Sequence, residues 1–243
     1  MDASYADVYP ELYKHHWWWR VREEILLRKI GGLLIDVSGH ARILDVGCGA
    51  GLFFDALEHL GHVEGIESDA SAITRAGRWG SRIVAGELDA SYRPTQPFDL
   101  ILMLDVIEHI HDPTHLLRRA GEILNPSGRI VVTVPAFDWI WTPHDDINYR
   151  VRRYTAGQLR STMDRAGLVT LETRYLFQSL VGPKLLIRAK EALISTRPRV
   201  PQVPAPAWNA GLRVWCRAEY LLAGWLPFGN SLMAVATGAN PRG

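Results

Sequence analysis

Short apolar runs alternate with amphipathic stretches along most of the chain. The β-rich runs predict strands, and the apolar positions between them recur at helical spacing. The predicted strands are, in order, 42–46, 62–67, 81–85, 98–104, 129–134, 168–177 and 231–237. Strands that alternate with helices indicate βαβ units, and therefore a parallel sheet that is covered by helices on both faces.

Helix signals accompany these strands. The predicted helices are 11–30, 51–60, 71–79, 112–124, 155–166, 180–194 and 207–226. Gly31-Gly32 is expected to end the first of them, and a capping box of Thr155 and Gln158 to open the fifth. Residues 125–128 predict a turn before the next strand, and 196–206 form a proline-rich connector. The last two helices therefore interrupt the sheet pattern before its final strand.

Composition narrows the function classes. The 243 residues include 27 Lys and Arg against 26 Asp and Glu, a formal net charge of +1, which argues against binding driven by a nucleic-acid backbone. Cys48 and Cys216 lack metal-site or disulfide spacing, which fits a reducing compartment. Residues 1–16 do not resemble a secretory signal, and no apolar run is long enough to span a bilayer. We expect a cytoplasmic protein without stable membrane insertion.

A glycine loop is the most specific feature of the sequence. Strand 42–46 leads into Gly47, Gly49 and Gly51, and Asp45 lies two residues before the first glycine. Missing side chains allow a ligand to approach the backbone where a strand gives way to a helix. The dinucleotide fingerprint would require a glycine at position 54 or 50, and these positions hold Phe54 and Ala50. The spacing is therefore not that of a dinucleotide site.

This loop resembles motif I of the class I S-adenosylmethionine-dependent methyltransferases. Glu67 ends the second strand, Glu87 and Leu88 follow the third, and residues 98–110 match the fourth strand and its loop. The resemblance implies a Rossmann-like three-layer α/β/α sandwich with a seven-stranded, mostly parallel sheet whose last strand is antiparallel. It also implies S-adenosylmethionine as cofactor. The implied cofactor-binding residues are Asp45, Gly47, Cys48, Gly49, Gly51, Glu67, Ser68, Glu87, Leu88 and Leu104.

Within this resemblance, each position has an expected role. Asp45 and Gly47 would hold the amino-acid end of the cofactor, and Gly49 and Gly51 would let it approach the backbone. Glu67 would accept the ribose hydroxyls, and Glu87 would lie near the adenine amino group. Cys48 is interpreted as a small residue that fills the loop. The alternatives are a solvated strand-end charge at Glu67 and a loop carboxylate at Glu87.

The acceptor is expected beyond the carboxyl ends of the fourth and fifth strands. Asp105, Glu108 and His109 resemble a metal-binding motif of small-RNA and ubiquinone-pathway methyltransferases. The downstream histidine of that motif corresponds to Arg150 here, although His144 is a possible substitute, and no metal is predicted. Alternatively, Glu108 caps backbone amides and His109 packs in the wall.

Aromatic segments outside the cofactor half suggest how the site closes. Similar bacterial methyltransferases have H-W-W, D-W-x-W and R-R-Y segments, which correspond here to residues 16–18, 138–141 and 152–154. The resemblance implies a helical lid at 1–40, a core at 41–178 and 230–243, and a helical insertion at 179–229. The implied acceptor-binding residues are Tyr13, His16, Trp17, Trp141, Tyr149, Arg150, Arg153 and Tyr154. Any single tryptophan here can instead be a core anchor.

The expected reaction is methyl transfer to an oxygen of a small-molecule or peptide acceptor, in natural product biosynthesis. Arg150 or Arg153 would orient a carboxylate, whereas a hydroxyl would need His109 or His144 as a base. N-methylation and a catalytically silent binding module are the alternatives. A membrane-surface role is an alternative for 180–194, but a helical cap over the acceptor pocket or a dimer contact fits its short length and modest charge better. The sequence leaves undecided whether the protein forms a homodimer.

Overall fold

A seven-stranded sheet organises the protein, and the computed structural model describes residues 3–193 and 201–239. The strands are β1 (Ala41–Val46), β2 (Gly61–Glu67), β3 (Ile83–Ala85), β4 (Phe98–Leu104), β5 (Leu124–Pro135), β6 (Leu168–Leu176) and β7 (Ser231–Gly238). Their order in the sheet is β3-β2-β1-β4-β5-β7-β6. The pairs among β1 to β5 are parallel, whereas β7 runs antiparallel to both β5 and β6. The predicted sheet, including its antiparallel last strand, is confirmed.

Nine α-helices are seen in the described ranges. They are α1 (Ala3–His15), α2 (Trp17–Leu33), α3 (Phe54–Leu57), α4 (Ala70–Thr74), α5 (Pro113–Glu122), α6 (Pro143–Ile147), α7 (Ala156–Arg165), α8 (Val181–Leu193) and α9 (Pro206–Leu222). Asp112 caps α5 by accepting from the Thr114 amide, and Thr155 with Gln158 forms the predicted capping box of α7. These two helix starts follow from local side-chain chemistry.

Two apolar layers cover the sheet, one on each face. Leu44, Ile101 and Val132 point into a core that includes α5 and α7. The alternate residues Ile43 and Leu100 point into a second core that includes α2, α3 and the Cys216 side chain of α9. Because the central strands are buried on both faces, their sequences are almost continuously apolar. This is the expected three-layer α/β/α arrangement.

The N-terminal helical region differs from the prediction of one helix. α1 and α2 meet at His16, whose backbone is extended (φ −76°, ψ 132°) and whose Nδ1 accepts a hydrogen bond from the Trp18 amide at 3.2 Å. The histidine therefore caps a new helix where helical spacing alone predicts continuity. Gly31-Gly32 lies inside α2, which ends at Leu33. The predicted end at residue 30 is therefore three residues too early.

Smaller differences concern element ends. β5 begins at Leu124, and the predicted turn 125–128 is a bulge, because Phe98 pairs with Leu124 while Leu100 pairs with Arg129. The helices predicted at 51–60, 71–79 and 207–226 are shorter in the structure, where α3, α4 and α9 occupy parts of them. Residues 194–200 of the connector region and 240–243 of the predicted core lie outside the described residues.

α9 fastens the junction between α1 and α2. The side chain of Asn209 accepts from the Trp17 amide and donates to the His15 carbonyl, both at 2.8 Å. Arg213 and Arg217 pair with Glu24 of α2 at 3.0 and 2.5 Å. One asparagine thus satisfies a carbonyl at the end of α1 and an amide at the start of α2. The position of the N-terminal helices depends on the C-terminal insertion.

We expect Asn209→Ala to loosen this junction. Losing two hydrogen bonds should lower the free energy of unfolding by roughly 1–3 kcal/mol. Urea unfolding would measure this loss, and hydrogen exchange should show faster exchange at the Trp17 amide. Gln202→Ala, at an exposed position before α9, is the matched control. Wild-type stability and exchange in Asn209→Ala would contradict the assigned role.

Candidate functional site

A cavity of about 1500 Å³ lies between the carboxyl edge of the sheet and the N-terminal helices. Its walls come from the loops after β1, β2, β3, β4 and β5, from α1 and α2, and from α8. Side chains of Tyr13, His16 and Trp17 line the side formed by α1 and α2. The cavity therefore lies where ligands of open α/β sheets bind.

The glycine loop after β1 follows a path that side chains would obstruct. Gly47, Gly49 and Gly51 have φ values of +70°, +57° and +66°. A Cβ atom on Gly47 would lie 2.8 Å from Val106 Cγ2, so even alanine would clash there. Gly47 and Gly49 line the cavity as predicted, whereas Gly51 packs behind the loop against Phe54. The expected cofactor contact at Gly51 is therefore corrected to a packing role.

Glu67 connects the glycine loop to the end of β2. Its Oε2 accepts from the Gly49 amide at 2.7 Å, and its Oε1 accepts from the Asp69 amide at 2.8 Å. The carboxylate thus holds two backbone segments of the cavity wall in register. Each oxygen has a further lone pair for a ligand hydroxyl. This loop-ordering bond was not predicted, because spacing shows which residue ends a strand but not which amide it reaches.

Asp45 is a buried carboxylate on the cavity wall. Its residue surface is 4% exposed, and burial raises the pKa of Asp45 to about 7, although the charge of Arg22 acts to lower it. The charge of Glu67 raises it further. Ionised Asp45 would be stabilised by a cation entering the cavity, because opposite charge favours the charged form.

The other predicted cofactor residues occupy the same part of the cavity. Ser68, Glu87, Leu88 and Leu104 line it with Glu67. Cys48 also lines it, and its Sγ would lie 2.5 Å from a Cβ built on Gly65. Burial raises the pKa of the Cys48 thiol, so the side chain acts as a small apolar group rather than as a nucleophile.

Arg22 of α2 reaches across the cavity to the sheet. Its Nη2 lies 3.0 Å from Asp105 Oδ2 and donates to Thr133 Oγ1 at 2.8 Å. Thr133 donates in turn to Asp105 Oδ1 at 3.2 Å. This set of three side chains joins α2 to the ends of β4 and β5. The sequence does not predict these contacts, since an arginine on an amphipathic helix is normally interpreted as a solvated charge.

Left-handed backbone conformations mark the same edge. Asp105, Phe137 and Phe177 follow β4, β5 and β6 and have φ values of +60°, +57° and +59°. Such conformations cost on the order of 1–3 kcal/mol each at non-glycine residues, and they concentrate at functional sites. The strained residues therefore support a functional site at the carboxyl edge of the sheet.

The two predicted catalytic histidines differ in their surroundings. His109 Nδ1 lies 3.2 Å from the carbonyl oxygen of Tyr149, whose own φ is +55°. A proton on Nδ1 would be donated to that carbonyl and would leave the Nε2 lone pair available. Burial lowers the pKa of His109 and lowers that of His144 to about 4. His144 Nε2 lies 3.2 Å from the Asn148 side-chain amide. His109 is therefore the better placed base.

A buried ion-pair group forms the wall next to the histidines. Arg153 donates to both oxygens of Asp145, at 2.7–3.1 Å, and to the Ala136 carbonyl at 3.0 Å. Arg150 donates to Asp145 at 2.9 Å, and its Nε lies 3.5 Å from Glu108 Oε1. Arg153, predicted to face an acceptor, lines the cavity, and its guanidinium also holds the loop. Arg150 lines the cavity with a buried, partly satisfied charge.

Two other predicted acceptor residues lie away from the cavity lining. Tyr154 is 2% exposed and donates to the Ile107 carbonyl at 3.4 Å, so it belongs to the core. Trp141 donates from Nε1 to Asp146 at 2.9 Å. Their motifs suggested aromatic acceptor contacts, but these hydrogen bonds give them structural roles. Tyr13, His16, Trp17 and Tyr149 do line the cavity.

The Asp105, Glu108 and His109 motif does not assemble as a metal centre. Within residues 3–193 and 201–239, no group of three His, Cys, Asp or Glu side chains has metal-binding geometry. Arg150 stands near Glu108, and burial raises the pKa of that carboxyl to about 8. A cation is thus already placed where the related motif has a histidine ligand.

A family model described as a methyltransferase domain matches residues 13–173, two thirds of the chain. The chain belongs to the class I S-adenosylmethionine-dependent methyltransferases. The matched range begins within α1 and extends into β6. It therefore includes the glycine loop, Glu67, both histidines and most of the cavity wall.

Individual relatives agree with this methyltransferase membership. A protein named ubiquinone biosynthesis O-methyltransferase, from Bradyrhizobium diazoefficiens, is 34% identical over 114 residues, which cover 43% of this chain and 44% of that relative. The match thus spans less than half of the relative's length. A methyltransferase structure from Archaeoglobus fulgidus is 14% identical, with a TM-score of 0.57 over 88% of this chain and 93% of that chain.

The cyclase SpnF also shares the fold. It is 19% identical, with a TM-score of 0.58 over 97% of this chain and 93% of that chain. At such identities the likeness of solved structures concerns the fold alone, and function must be argued from the site.

The cofactor of this family, S-adenosylmethionine, fits the residues that line the cavity. Its sulfonium and ammonium groups are cationic, and Asp45 is a buried carboxylate whose raised pKa reflects too little compensating charge. Gly47 and Gly49 leave the loop backbone open for close approach. Glu67 has the acceptor oxygens that ribose hydroxyls require. The fit between the cofactor and the cavity therefore rests on the charge of the carboxylates and on the open path of the glycine loop.

We expect Asp145→Asn to be strongly destabilising. The change would leave the buried Arg153 guanidinium without its counter-charge, which costs about 3–5 kcal/mol in comparable buried pairs. Although burial acts to raise it, hydrogen bonds and charge from Arg153 and Arg150 hold the pKa of Asp145 below its ordinary range. This stabilisation is therefore complete above about pH 4 and is lost as the pH falls below that.

Urea unfolding at neutral pH, compared with unfolding at about pH 3, would measure the contribution. Asp146→Asn, which changes the neighbouring carboxylate near Trp141, is the matched control and should cost less than about 1 kcal/mol. Equal losses in the two variants would contradict the structural role of Asp145.

Proposed function

We propose that the protein transfers a methyl group from S-adenosylmethionine to an oxygen of a small-molecule or peptide acceptor. One observation supports this most: a single cavity joins the Asp45, Glu67 and glycine-loop side to the His109 side. The relatives named O-methyltransferases favour oxygen as the acceptor atom. The proposal thus combines a cofactor site with a nearby proton acceptor.

In the proposed reaction, positioning contributes most. The cofactor supplies a methyl group on a sulfonium, which is transferred by in-line displacement. Asp45 would bind the cationic end, and Glu67 would hold both the ribose and the Gly49 amide. Such positioning can contribute about 7–11 kcal/mol to a reaction of two bound groups. The aromatic side chains of α1 and α2 would exclude water from the cavity.

His109 would accept the proton of an acceptor hydroxyl. The Tyr149 carbonyl fixes the ring with the proton on Nδ1, so that Nε2 can take the hydroxyl proton as the oxygen attacks. Because burial lowers the pKa of His109, the ring is neutral at pH 7 and able to accept it. A carboxylate acceptor would need no base, and Arg150 on the cavity wall would orient it.

The three predicted regions would divide this work. We propose that 1–40 acts as a lid, that 41–178 and 230–243 form the cofactor-binding core, and that 179–229 is an insertion that supports the lid. The Asn209 and Glu24 contacts between α9 and α2 support this division. The Arg22 contact with Asp105 supports a lid that closes over the cavity.

A labelling experiment tests the proposal. The protein is incubated with S-adenosylmethionine that has a deuterated methyl group and with small molecules extracted from the source organism, and mass spectrometry detects labelled products. We expect a labelled methyl ester or ether. A labelled amine would indicate N-methylation, and cofactor binding without any labelled product would indicate a silent module. Either result would contradict O-methylation.

The His109 assignment predicts a pH-dependent loss of activity. With a hydroxyl acceptor found in this way, His109→Gln should lower kcat by roughly 10²–10⁴-fold, the usual contribution of a general base. Wild-type activity should persist at pH values near the ordinary histidine pKa and fall only at lower pH, because burial lowers the pKa of His109 and keeps the ring neutral.

His144→Gln is the matched control, because the pKa of His144, about 4, makes it a poor base at neutral pH. A loss in His144→Gln as large as that in His109→Gln would exclude His109 as the principal base. Thermal unfolding of each variant with and without cofactor separates a catalytic effect from a folding defect.

A further inference from the structure

α9 presents an apolar face to solvent. Its exposed residues, apart from Arg217, are all apolar, small or proline. Trp208 is 74% exposed, Trp215 61% and Leu222 76%. At 100° per residue these three share one stripe, and Val214 and Leu221 form a second stripe beside it. Together with small residues between them, the two stripes cover an arc of about 140°.

The polar side of the same helix packs against the protein. Asn209, Arg213 and Arg217 bind the junction and flank of α2, and Glu219 accepts from the Ser179 amide and hydroxyl. The inward face of α9 thus combines these polar contacts with the buried Cys216, whereas in an ordinary surface helix the polar residues face solvent. Trp225, just beyond α9, is 80% exposed and extends the apolar surface. An exposed apolar surface of this kind marks an interaction site.

The insertion that contains this face is cationic. Residues 179–229 include seven Lys and Arg but two Asp and Glu, a net charge of +5. The rest of the chain then has a net charge of −4, since the whole chain has +1. On α8, Arg188 and Lys190 are exposed beside the exposed Leu186. Positive charge and exposed tryptophans thus belong to one segment of the chain.

We propose that the α9 face docks on an anionic lipid surface. Exposed Trp and Leu side chains enter the boundary between headgroups and acyl chains, and Lys and Arg are attracted to anionic headgroups. A symmetric dimer through the same face is disfavoured, because it would bring together two segments that stay cationic even after Arg213 and Arg217 pair with Glu24 of α2. No helix in the described ranges is long and apolar enough to cross a membrane, so the protein lies on the surface.

The docking surface adjoins the candidate site. Ser179, which bonds to Glu219 and accepts from Trp215 Nε1 of α9, directly precedes α8. Leu180 and Ile187 line the cavity from this side. Lipid docking at α9 would therefore bring one wall of the cavity close to the membrane. The docking itself does not depend on the proposed methyl transfer.

Vesicle binding tests the proposal without any measure of catalysis. The full chain is mixed with vesicles of equimolar phosphatidylglycerol and phosphatidylcholine, and with vesicles of phosphatidylcholine alone. We expect co-sedimentation and a blue shift of tryptophan emission with the anionic vesicles, both weakened at high salt. Trp208→Ser with Leu222→Gln should lower the affinity at least about 10-fold, since each side chain buries apolar area.

Arg188→Gln with Lys190→Gln should lower the affinity about 10-fold or more through charge. Ile35→Gln is the matched control, because Ile35 is an 80% exposed apolar residue outside the insertion, and it should bind like wild type. All substituted side chains are exposed, so we expect unchanged unfolding temperatures. If the Trp208 variant does not fold, Trp225→Ser replaces it.

Three results would overturn the proposal. They are absence of binding to either vesicle type, equal binding to neutral vesicles, and binding that the α9 variants leave unchanged. Sedimentation velocity separates the remaining case. A concentration-dependent dimer that is lost in the Trp208 and Leu222 double variant would make a second copy of the chain the occupant of this face instead of lipid.

Discussion

Carboxylates crowd the carboxyl edge of the parallel sheet, and their need for positive charge shapes the rest of the molecule. Asp45, Glu67, Asp105 and Glu108 all come from strand ends or the loops just after them. Burial penalises the charged forms of Asp45 and Glu108, and their pKa values rise to about 7 and 8. Positive charge from other elements stabilises the ionised forms of such buried carboxylates.

Arginines from two different elements supply positive charge to these carboxylates. Arg22 comes from α2 to Asp105, and Arg150 comes from the loop after β5 to Asp145 and Glu108. The first contact holds the N-terminal helices over the cavity, and α9 holds those helices from outside through Asn209. Among residues 3–193 and 201–239, neither arginine forms an ion pair with Asp45, which lines the cavity near the glycine loop. That carboxylate is left for a cationic ligand.

Sequence reasoning reached the local parts of this arrangement and missed the long-range ones. Strand periodicity, the capping box of Thr155 with Gln158 and the spacing from Asp45 to Gly51 depend on neighbouring residues, so they could be predicted. Arg22 and Asp105 lie 83 positions apart, and the sequence around an arginine does not show which distant carboxylate it will pair with. Arg153 and Tyr154 were predicted at the acceptor from their motif, yet burial gives them structural bonds to Asp145 and Ile107. These bonds form only in the assembled loop, so the sequence could not show them.

Proton release on cofactor binding tests the central role of Asp45 most directly. Calorimetric titration of S-adenosylmethionine in buffers of different ionisation enthalpy counts the protons released. If Asp45 has a pKa of about 7 in the free protein, a bound cation lowers that pKa, so protons should be released near pH 6.5 but not near pH 9. Asp45→Asn should abolish the release and weaken binding. Equal proton release from wild type and Asp45→Asn would contradict the assignment of Asp45 as the carboxylate that binds the cofactor's positive charge.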